Sequence, residues 1–194
     1  MINAVAVVLA GGSAQRLGGG DKPLRMLHGR TLLDHVLAAL DVPQVAISAN
    51  GDPARFARFG VPVLPDGAFA GQGPLAGVLA GMQWAAGLGA TALLTVPGDT
   101  PFLPPRLAET LAPAPACAAT GTQRHHLVAL WRVEDRNLLE AFLIVPGPRH
   151  VFRFADAVGM RYVDFSESDA RWFANVNTPE DLRRLETMVD RRSP

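Results

Sequence analysis

Six apolar residues, Ala4 to Leu9, run straight into a loop that places five glycines among the next eleven positions. An unbroken apolar run of this kind reads as a buried strand, and a strand buried on both faces requires covering layers on either side of its sheet. The loop ends at Lys22, the only lysine in a chain that carries seventeen arginines. Glycine lets backbone N–H groups approach an anion closely, and a cation neutralises its charge, so strand, loop and lysine together suggest a phosphate cradle. A compact ammonium and a planar guanidinium do different work at such a site. Arginine-rich codon usage that left one lysine by chance is the competing explanation.

The same alternation of strand and helix continues along the chain. Thr31–Leu40 carries apolar residues at helical spacing, with Thr31 as N-cap. Val45–Ser48 is a second strand, Asp52-Pro53 opens a short helix to about Phe59, and Val61–Leu64 is a third strand. Pro74 begins a helix that Gly87 and Gly89 end near Leu88. Thr91–Val96 is a fourth strand and Pro105–Leu111 a helix. Strands alternating with helices predict an α/β fold, a mainly parallel sheet with helices on both faces. After a proline-bearing connector at Ala112–Ala116 the pattern changes. Cys117–Thr120 and Leu127–Trp131 read as a hairpin, and Glu134–Leu143 as a helix that Pro146-Gly147-Pro148 breaks. Val151–Ala157 reads as a helix and Arg161–Phe165 as a strand. Thr178-Pro179-Glu180-Asp181 caps a last helix, and Arg191–Pro194 is a frayed tail.

Composition excludes several classes. Of 194 residues 48% are hydrophobic, enough for a full core, so global disorder is excluded. Lys+Arg and Asp+Glu are both 18, so no basic stripe marks a nucleic-acid binder. Cys117 stands alone, which leaves no intramolecular disulfide and no cysteine-based metal site. The N-terminus has no signal-peptide pattern, and no segment approaches the ~20 unbroken apolar residues of a membrane span. The expectation is a soluble cytoplasmic protein.

Two familiar phosphate loops fail on this sequence. A P-loop lysine is followed by Ser or Thr, whereas Lys22 precedes Pro23. Gly18-Gly19-Gly20-Asp21-Lys22-Pro23 does not match the dinucleotide fingerprint. Gly71-Gln72-Gly73-Pro74-Leu75-Ala76 matches its Gly/Ala variant without the usual tight strand-to-loop step. It reads either as a helix N-terminus aimed at a ligand or as close packing. Asp99 follows the fourth strand in Pro97-Gly98-Asp99-Thr100-Pro101. Ligands of open parallel sheets bind at the carboxyl ends of strands, where Asp99 could give Mg²⁺ an oxygen ligand; a turn aspartate is the alternative. Asp66 repeats that placement after the third strand, within an Asp-Gly turn signal. Ser48 and Asn50 end the second strand and could hydrogen-bond a base or ribose, or simply form a turn. Asn175 and Asn177 alternate on an extended piece and so face one site, or else they bond backbone ahead of the helix cap.

Together these segments resemble the molybdenum cofactor guanylyltransferases, the MobA-type enzymes of the nucleotidyltransferase superfamily. The resemblance spans nearly the whole chain. It rests on Leu9-Ala10-Gly11-Gly12 with Arg16, Gly19 and Lys22, on Gly73-Pro74-Leu75-Ala76-Gly77, on Pro97-Gly98-Asp99-Thr100-Pro101 and on Asn175-Val176-Asn177-Thr178-Pro179-Glu180-Asp181-Leu182. It implies one nucleotidyltransferase domain over residues 1–194, Rossmann-like, with a nucleotide-binding half over about 1–112 and a pterin-side half over about 113–190. It implies transfer of GMP from GTP to molybdopterin, usually carrying molybdenum, with release of pyrophosphate. Leu9, Ala10, Gly11 and Gly12 would border the nucleotide, with Ser48, Asn50 and Asp66 in contact with it. Arg16 and Lys22 would hold the phosphates, Asp99 would bind Mg²⁺, Arg149 would serve the pterin side, and Asn175 and Asn177 would serve that side or complete the metal shell. Molybdenum-insertion and molybdoenzyme chaperone proteins are the partner class implied. The chain departs from the family at Ser48, where Asn is usual, and at Arg149-His150, where paired arginines are usual. Cytidylyl transfer to the same cofactor, transfer to a sugar phosphate, and a non-catalytic nucleotide or molybdopterin carrier are the rival functions.

Overall fold

The computed structural model describes residues 2–11, 21–167, 169 and 171–190. Gly12 and Arg16 lie outside the described residues, as do Gly18, Gly19 and the tail at 191–194.

Strand β1 (Ala4–Leu9) is buried along its whole length. Its pleat sends Ala4, Ala6 and Val8 into one core, and Val5, Val7 and Leu9 into another. That is why the run is apolar without alternation. A small hairpin follows, β2 (Met26–Leu27) paired antiparallel with β3 (Arg30–Thr31). His28 and Gly29 between them have φ of 47° and 74°, so two left-handed residues make a tight hairpin turn that the periodicity had not announced. Helix α1 (Leu32–Ala39) starts at a capping box: Asp34 N donates to Thr31 Oγ1 at 3.2 Å, and Thr31 N donates to Asp34 Oδ2 at 2.9 Å.

Next come β4 (Val45–Ser48), a 3₁₀ stretch at Pro53–Phe59, β5 (Val63–Leu64), α2 (Pro74–Gly87) and β6 (Ala92–Pro97). The predicted helix at 52–59 is thus a 3₁₀ segment, pinned by Asp52 at its start, by buried Phe56 and by Gly60 at φ 66°. Helix α3 (Leu107–Leu111) begins two residues later than the pattern predicts, because Arg106 sits at φ 54°. Strands β7 (Ala116–Thr120) and β8 (Gln123–Arg132) form the expected hairpin, with β8 extended at its polar end. Helices α4 (Arg136–Ile144) and α5 (Val151–Ala157), strand β9 (Arg161–Asp164) and helix α6 (Pro179–Asp190) complete the chain.

The seven long and short strands of the main sheet lie in the order β5-β4-β1-β6-β8-β7-β9. The pairs β5·β4, β4·β1, β1·β6 and β7·β9 are parallel, and the two pairs made by β8 are antiparallel. Helices α1 and α3 cover one face with Leu33, Val36, Leu107 and Leu111. Helices α2, α4 and α5 cover the other with Leu75, Met82, Leu139 and Phe154. The second core closes over Trp131, whose Nε1 donates to Thr95 Oγ1 at 2.8 Å; that hydroxyl donates to Leu127 O at 2.9 Å. A buried indole N–H and a buried hydroxyl thus satisfy each other and the strand edge. No helix among the described residues is long and apolar enough to cross a membrane.

This topology decides where a ligand can sit. From β1 the chain moves outward through β4 to β5, then returns through α2 to β6 on the opposite side of β1. The order therefore reverses between β1 and β6, and in an open α/β sheet the carboxyl edge at such a reversal is where a ligand binds.

Candidate active site

Asp21 leads into a short 3₁₀ turn, Lys22–Leu24, that presents the ammonium of Lys22. Pro23 is buried and lies over the backbone of Gly98, just beyond β6. A Cβ on Gly98 would meet Pro23 Cγ at 3.0 Å, so this close approach needs a residue without a side chain. Gly98 N also donates to Leu9 O at 3.0 Å. The two loops that flank the switch point are thereby held together, and Lys22 Nζ donates to Asp99 Oδ2.

The late asparagine segment reaches the same place. Lys22 Nζ also donates to Asn177 Oδ1 at 2.7 Å. Thr100, fully buried, donates through Oγ1 to Asn175 Oδ1 at 2.6 Å, and Val176 N donates to Asp99 O at 3.0 Å. Residues 175–177 therefore lie along residues 99–100, with the Asn177 side chain at Lys22 and that of Asn175 at Thr100. A second capping box fixes this segment: Thr178 N donates to Asp181 Oδ2 at 3.0 Å and Asp181 N to Thr178 Oγ1 at 3.1 Å. The N–H of Asn177 also donates to that carboxylate and holds the Asp181 carboxyl below its ordinary range. The segment thus anchors a cap through its backbone, while the Asn175 side chain accepts from Thr100 and that of Asn177 from Lys22.

A cleft of about 620 Å³ is lined by Leu9, Gly11, Ser48, Asn50, Asp66, Leu127 and the start of α2 at Gly73-Pro74. Asn50 Nδ2 donates to Asp66 Oδ2 at 2.6 Å, Asp66 N donates to Asn50 Oδ1 at 2.9 Å, and Ser48 Oγ lies 3.4 Å from Asp66 Oδ1. The serine that replaces the usual asparagine thus still reaches the carboxylate. Helix α2 comes so near the sheet that a Cβ on Gly77 would stand 2.4 Å from Ser48 Oγ. The 14-residue helix directs its N-terminal dipole at this cleft, which favours an anion.

Residues without a sequence signal tie the parts together. Arg55 donates through Nη2 to Asn50 O and pairs with Asp21 Oδ2 at 3.2 Å, linking the cleft to the turn that carries Lys22. Thr100 belongs to the motif around Asp99, but its bond to Asn175 comes from burial and not from any local pattern. A second, polar cavity of about 460 Å³ adjoins Asn175 and Asn177 and is lined also by Gln123, His125, Trp172 and Arg184. Burial, with the neighbouring His126, lowers the pKa of His125 and so favours its neutral ring. Its Nε2 lies 2.8 Å from Thr120 Oγ1. Arg149 is not brought to this cavity. Its guanidinium donates to Leu143 O at 3.0 Å and Gly147 O at 3.1 Å, closing the C-terminus of α4, and it lines a separate apolar cavity between α4 and α5. Cys117 is buried in the core, and that burial pushes its thiol up to about 11. No group of three or more His, Cys, Asp or Glu side chains suited to a metal occurs among the described residues.

A cation and a carboxylate meeting at the switch point of an α/β sheet, near an anion-attracting helix start, suit a protein that handles phosphates, and the sequence match places it among the nucleotidyltransferases. Residues 6–159 match the MobA-like NTP transferase domain, and the chain belongs to that family. It is 56% identical over 183 residues to a molybdenum cofactor guanylyltransferase of Acidiphilium cryptum, covering 93% of each chain. Another from Mesorhizobium japonicum is 43% identical, over 94% of each. Among solved structures, the molybdopterin-guanine dinucleotide biosynthesis protein A of Archaeoglobus fulgidus superposes with a TM-score of 0.79 at 22% identity, over 97% of this chain and 99% of that one. A CMP:2-keto-3-deoxy-manno-octonic acid synthetase solved with CTP gives 0.66 at 17% identity, over 98% and 99%. These two structural likenesses are of fold alone.

Proposed function

We propose that this chain transfers GMP from GTP to molybdopterin and releases pyrophosphate, forming the guanine dinucleotide form of the molybdenum cofactor. The full-length similarity to guanylyltransferases supports the choice of nucleotide and acceptor. The observation that carries the mechanism is the meeting of Lys22, Asp99 and Asn177, with Asn177 also lining the polar cavity. One cavity takes the nucleotide against Leu9, Gly11, Ser48, Asn50 and Asp66. The other takes the pterin and brings its phosphate to the junction.

A phosphate oxygen of the acceptor attacks the α-phosphorus of GTP. The new P–O bond forms as the bond to the β-phosphate oxygen breaks, and the electron pair leaves with pyrophosphate. The nucleophile is already an anion, so no general base is required. Rate enhancement comes from placing the two phosphates and from countering charge that builds on the leaving group. Lys22 supplies that charge from its proline-locked turn, with Arg16 assigned to the same phosphates. The Asp66 carboxylate, oriented by Asn50, accepts hydrogen bonds from the nucleoside. Asn175, held by Thr100, lines the acceptor side.

The donor chemistry at Asp99 suits a magnesium ion. Its carboxylate and the Asn177 amide oxygen already share one cation, the Lys22 ammonium, so this pair of hard oxygens can hold positive charge. Asp99, with the Asn177 oxygen beside it, would hold Mg²⁺, whose chemistry there would be to neutralise phosphate charge. The deciding assay offers GTP, CTP, ATP and UTP separately with molybdopterin and follows pyrophosphate. Release with GTP well above the other three is expected. Preference for CTP would transfer the reading to cytidylyl transfer, and GTP binding without pyrophosphate release would make the chain a carrier.

A further inference from the structure

We propose that Lys22 is the resident counter-ion of Asp99 while nucleotide is absent, and that an arriving triphosphate must draw the ammonium away before the carboxylate can accept a divalent cation. The cation then enters with the nucleotide and not ahead of it. This rests on the guanylyl-transfer reading and adds an order of events to it.

The argument begins with one carboxylate and two claims on it. Lys22 Nζ is bonded to Asp99 Oδ2 and to Asn177 Oδ1, the same oxygens that suit a metal. Both side chains of the ion pair are only 18% exposed, so water screens the pair poorly. Two cations cannot crowd against these oxygens without strong repulsion, so a metal approaching the free protein meets an occupied carboxylate. Movement is cheap for the side chain and costly for the backbone. Pro23 is wedged against Gly98, and Asp21 is held by Arg55, so the turn is anchored on both sides of Lys22. The four-carbon stem of a lysine can nevertheless swing its head between neighbouring acceptors. A triphosphate beside the start of α2 carries more negative charge than a single carboxylate and offers the ammonium a better partner. Its transfer frees Asp99 at the moment when phosphate oxygens complete the shell that Mg²⁺ needs.

Because the chain has a single lysine, the test has a unique reporter. Protein grown on isotopically labelled lysine gives one side-chain ammonium resonance. In wild type, Mn²⁺ alone should leave that resonance unbroadened. GTP with a chelator should shift it, and GTP with Mn²⁺ should broaden it. A Mn²⁺ titration read by electron paramagnetic resonance needs no nucleotide. Lys22→Ala should bind Mn²⁺ about tenfold or more tightly than wild type, and Asp99→Asn in that background should remove the gain. Equal Mn²⁺ affinity in wild type and Lys22→Ala would overturn the proposal, as would broadening of the wild-type resonance by Mn²⁺ alone. So would a resonance unmoved by metal-free GTP in a sample whose phosphorus spectrum shows GTP bound. Absence of GTP binding in that spectrum would instead count against the functional reading, and the nucleotide-free titration would still decide the order of binding.

Discussion

The amine of Lys22 lies against the carboxylate of Asp99, 77 positions away along the chain. Their meeting follows from topology. One leaves the carboxyl end of β1 and the other that of β6, and these adjacent parallel strands end side by side, with Leu9 opposite Pro97. The sheet thus brings a loop cation and a turn acid into contact at the place where its strand order reverses.

Lys22 is expected to matter through charge and reach together. Lys22→Ala should lower kcat about 10²- to 10³-fold, with the melting temperature close to wild type, since the side chain lies at a crevice and outside both cores. Lys22→Arg should rescue little. A guanidinium is planar and cannot sit as a point charge between Asp99 and Asn177. Steady-state pyrophosphate release together with a thermal melt checks both variants; full activity in either would remove Lys22 from the chemistry.

Gly98→Ala probes the support beneath that lysine. The added methyl would sit 3.0–3.2 Å from the Pro23 ring, and the ring cannot swing away as a flexible side chain could. The turn should shift by a few tenths of an ångström and carry Lys22 with it. Misplacement on this scale should cost about tenfold or more in kcat while stability falls by no more than about 1–3 kcal/mol. Gly77→Ala should behave differently, because its methyl would stand 2.4 Å from Ser48 Oγ at the helix–sheet contact. There the main loss should be in stability, and Ser48→Ala should recover part of it in a double-mutant cycle.

The strand-and-helix alternation was legible because β1 and β6 are buried on both faces and so carry unbroken apolar runs. The helix starts at Thr31 and Thr178 were legible because each capping box needs its own short pattern of polar residues. The hairpin at Met26–Thr31 was not, since its strands are two residues long and leave no periodicity. The 3₁₀ character of Pro53–Phe59 was not either, because the choice between 3₁₀ and α turns rests on packing around Phe56. At the site, Lys22, Asp66, Asp99 and the two asparagines were nameable from motifs, yet nothing local said that Asn177 would bond Lys22. Arg149 shows the reverse problem. An arginine beside a glycine-proline break fits an anion site and a helix C-terminus equally well in sequence, and here its guanidinium donates to the carbonyls of Leu143 and Gly147.

The cap of α1 carries a pH dependence of defined sign. Burial pushes the Asp34 carboxyl up, but hydrogen bonds from Arg58 and Thr31 outweigh that and bring it from 3.8 down to about 2. A carboxylate whose pKa falls on folding stabilises the native state fully above the unfolded value and loses that contribution as pH drops through the folded one. Asp34→Ala should therefore cost about 1 kcal/mol at pH 7. The gap from wild type should close as pH falls from 4 toward 2. Urea denaturation across that range checks it, and a gap independent of pH would mean that the carboxylate charge contributes nothing.

Thr100 and Asn175 allow the two substrate sides to be separated. Thr100 is fully buried, and its hydroxyl donates to Asn175 Oδ1 at 2.6 Å. Thr100→Val keeps the shape and removes the donor, so Asn175 loses the bond that sets its orientation. The change lies on the side of Asp99 that faces the polar cavity, away from the Ser48, Asn50 and Asp66 cluster. The Michaelis constant for molybdopterin should rise about three- to tenfold, as expected for one neutral hydrogen bond of roughly 1 kcal/mol, while that for GTP stays within twofold. Asn175→Ala should raise it at least as far, and the double variant should be no worse than Asn175→Ala alone, because Thr100 acts only through that amide. Equal rises in both Michaelis constants would show that the Thr100–Asn175 bond supports the junction as a whole and not the acceptor side.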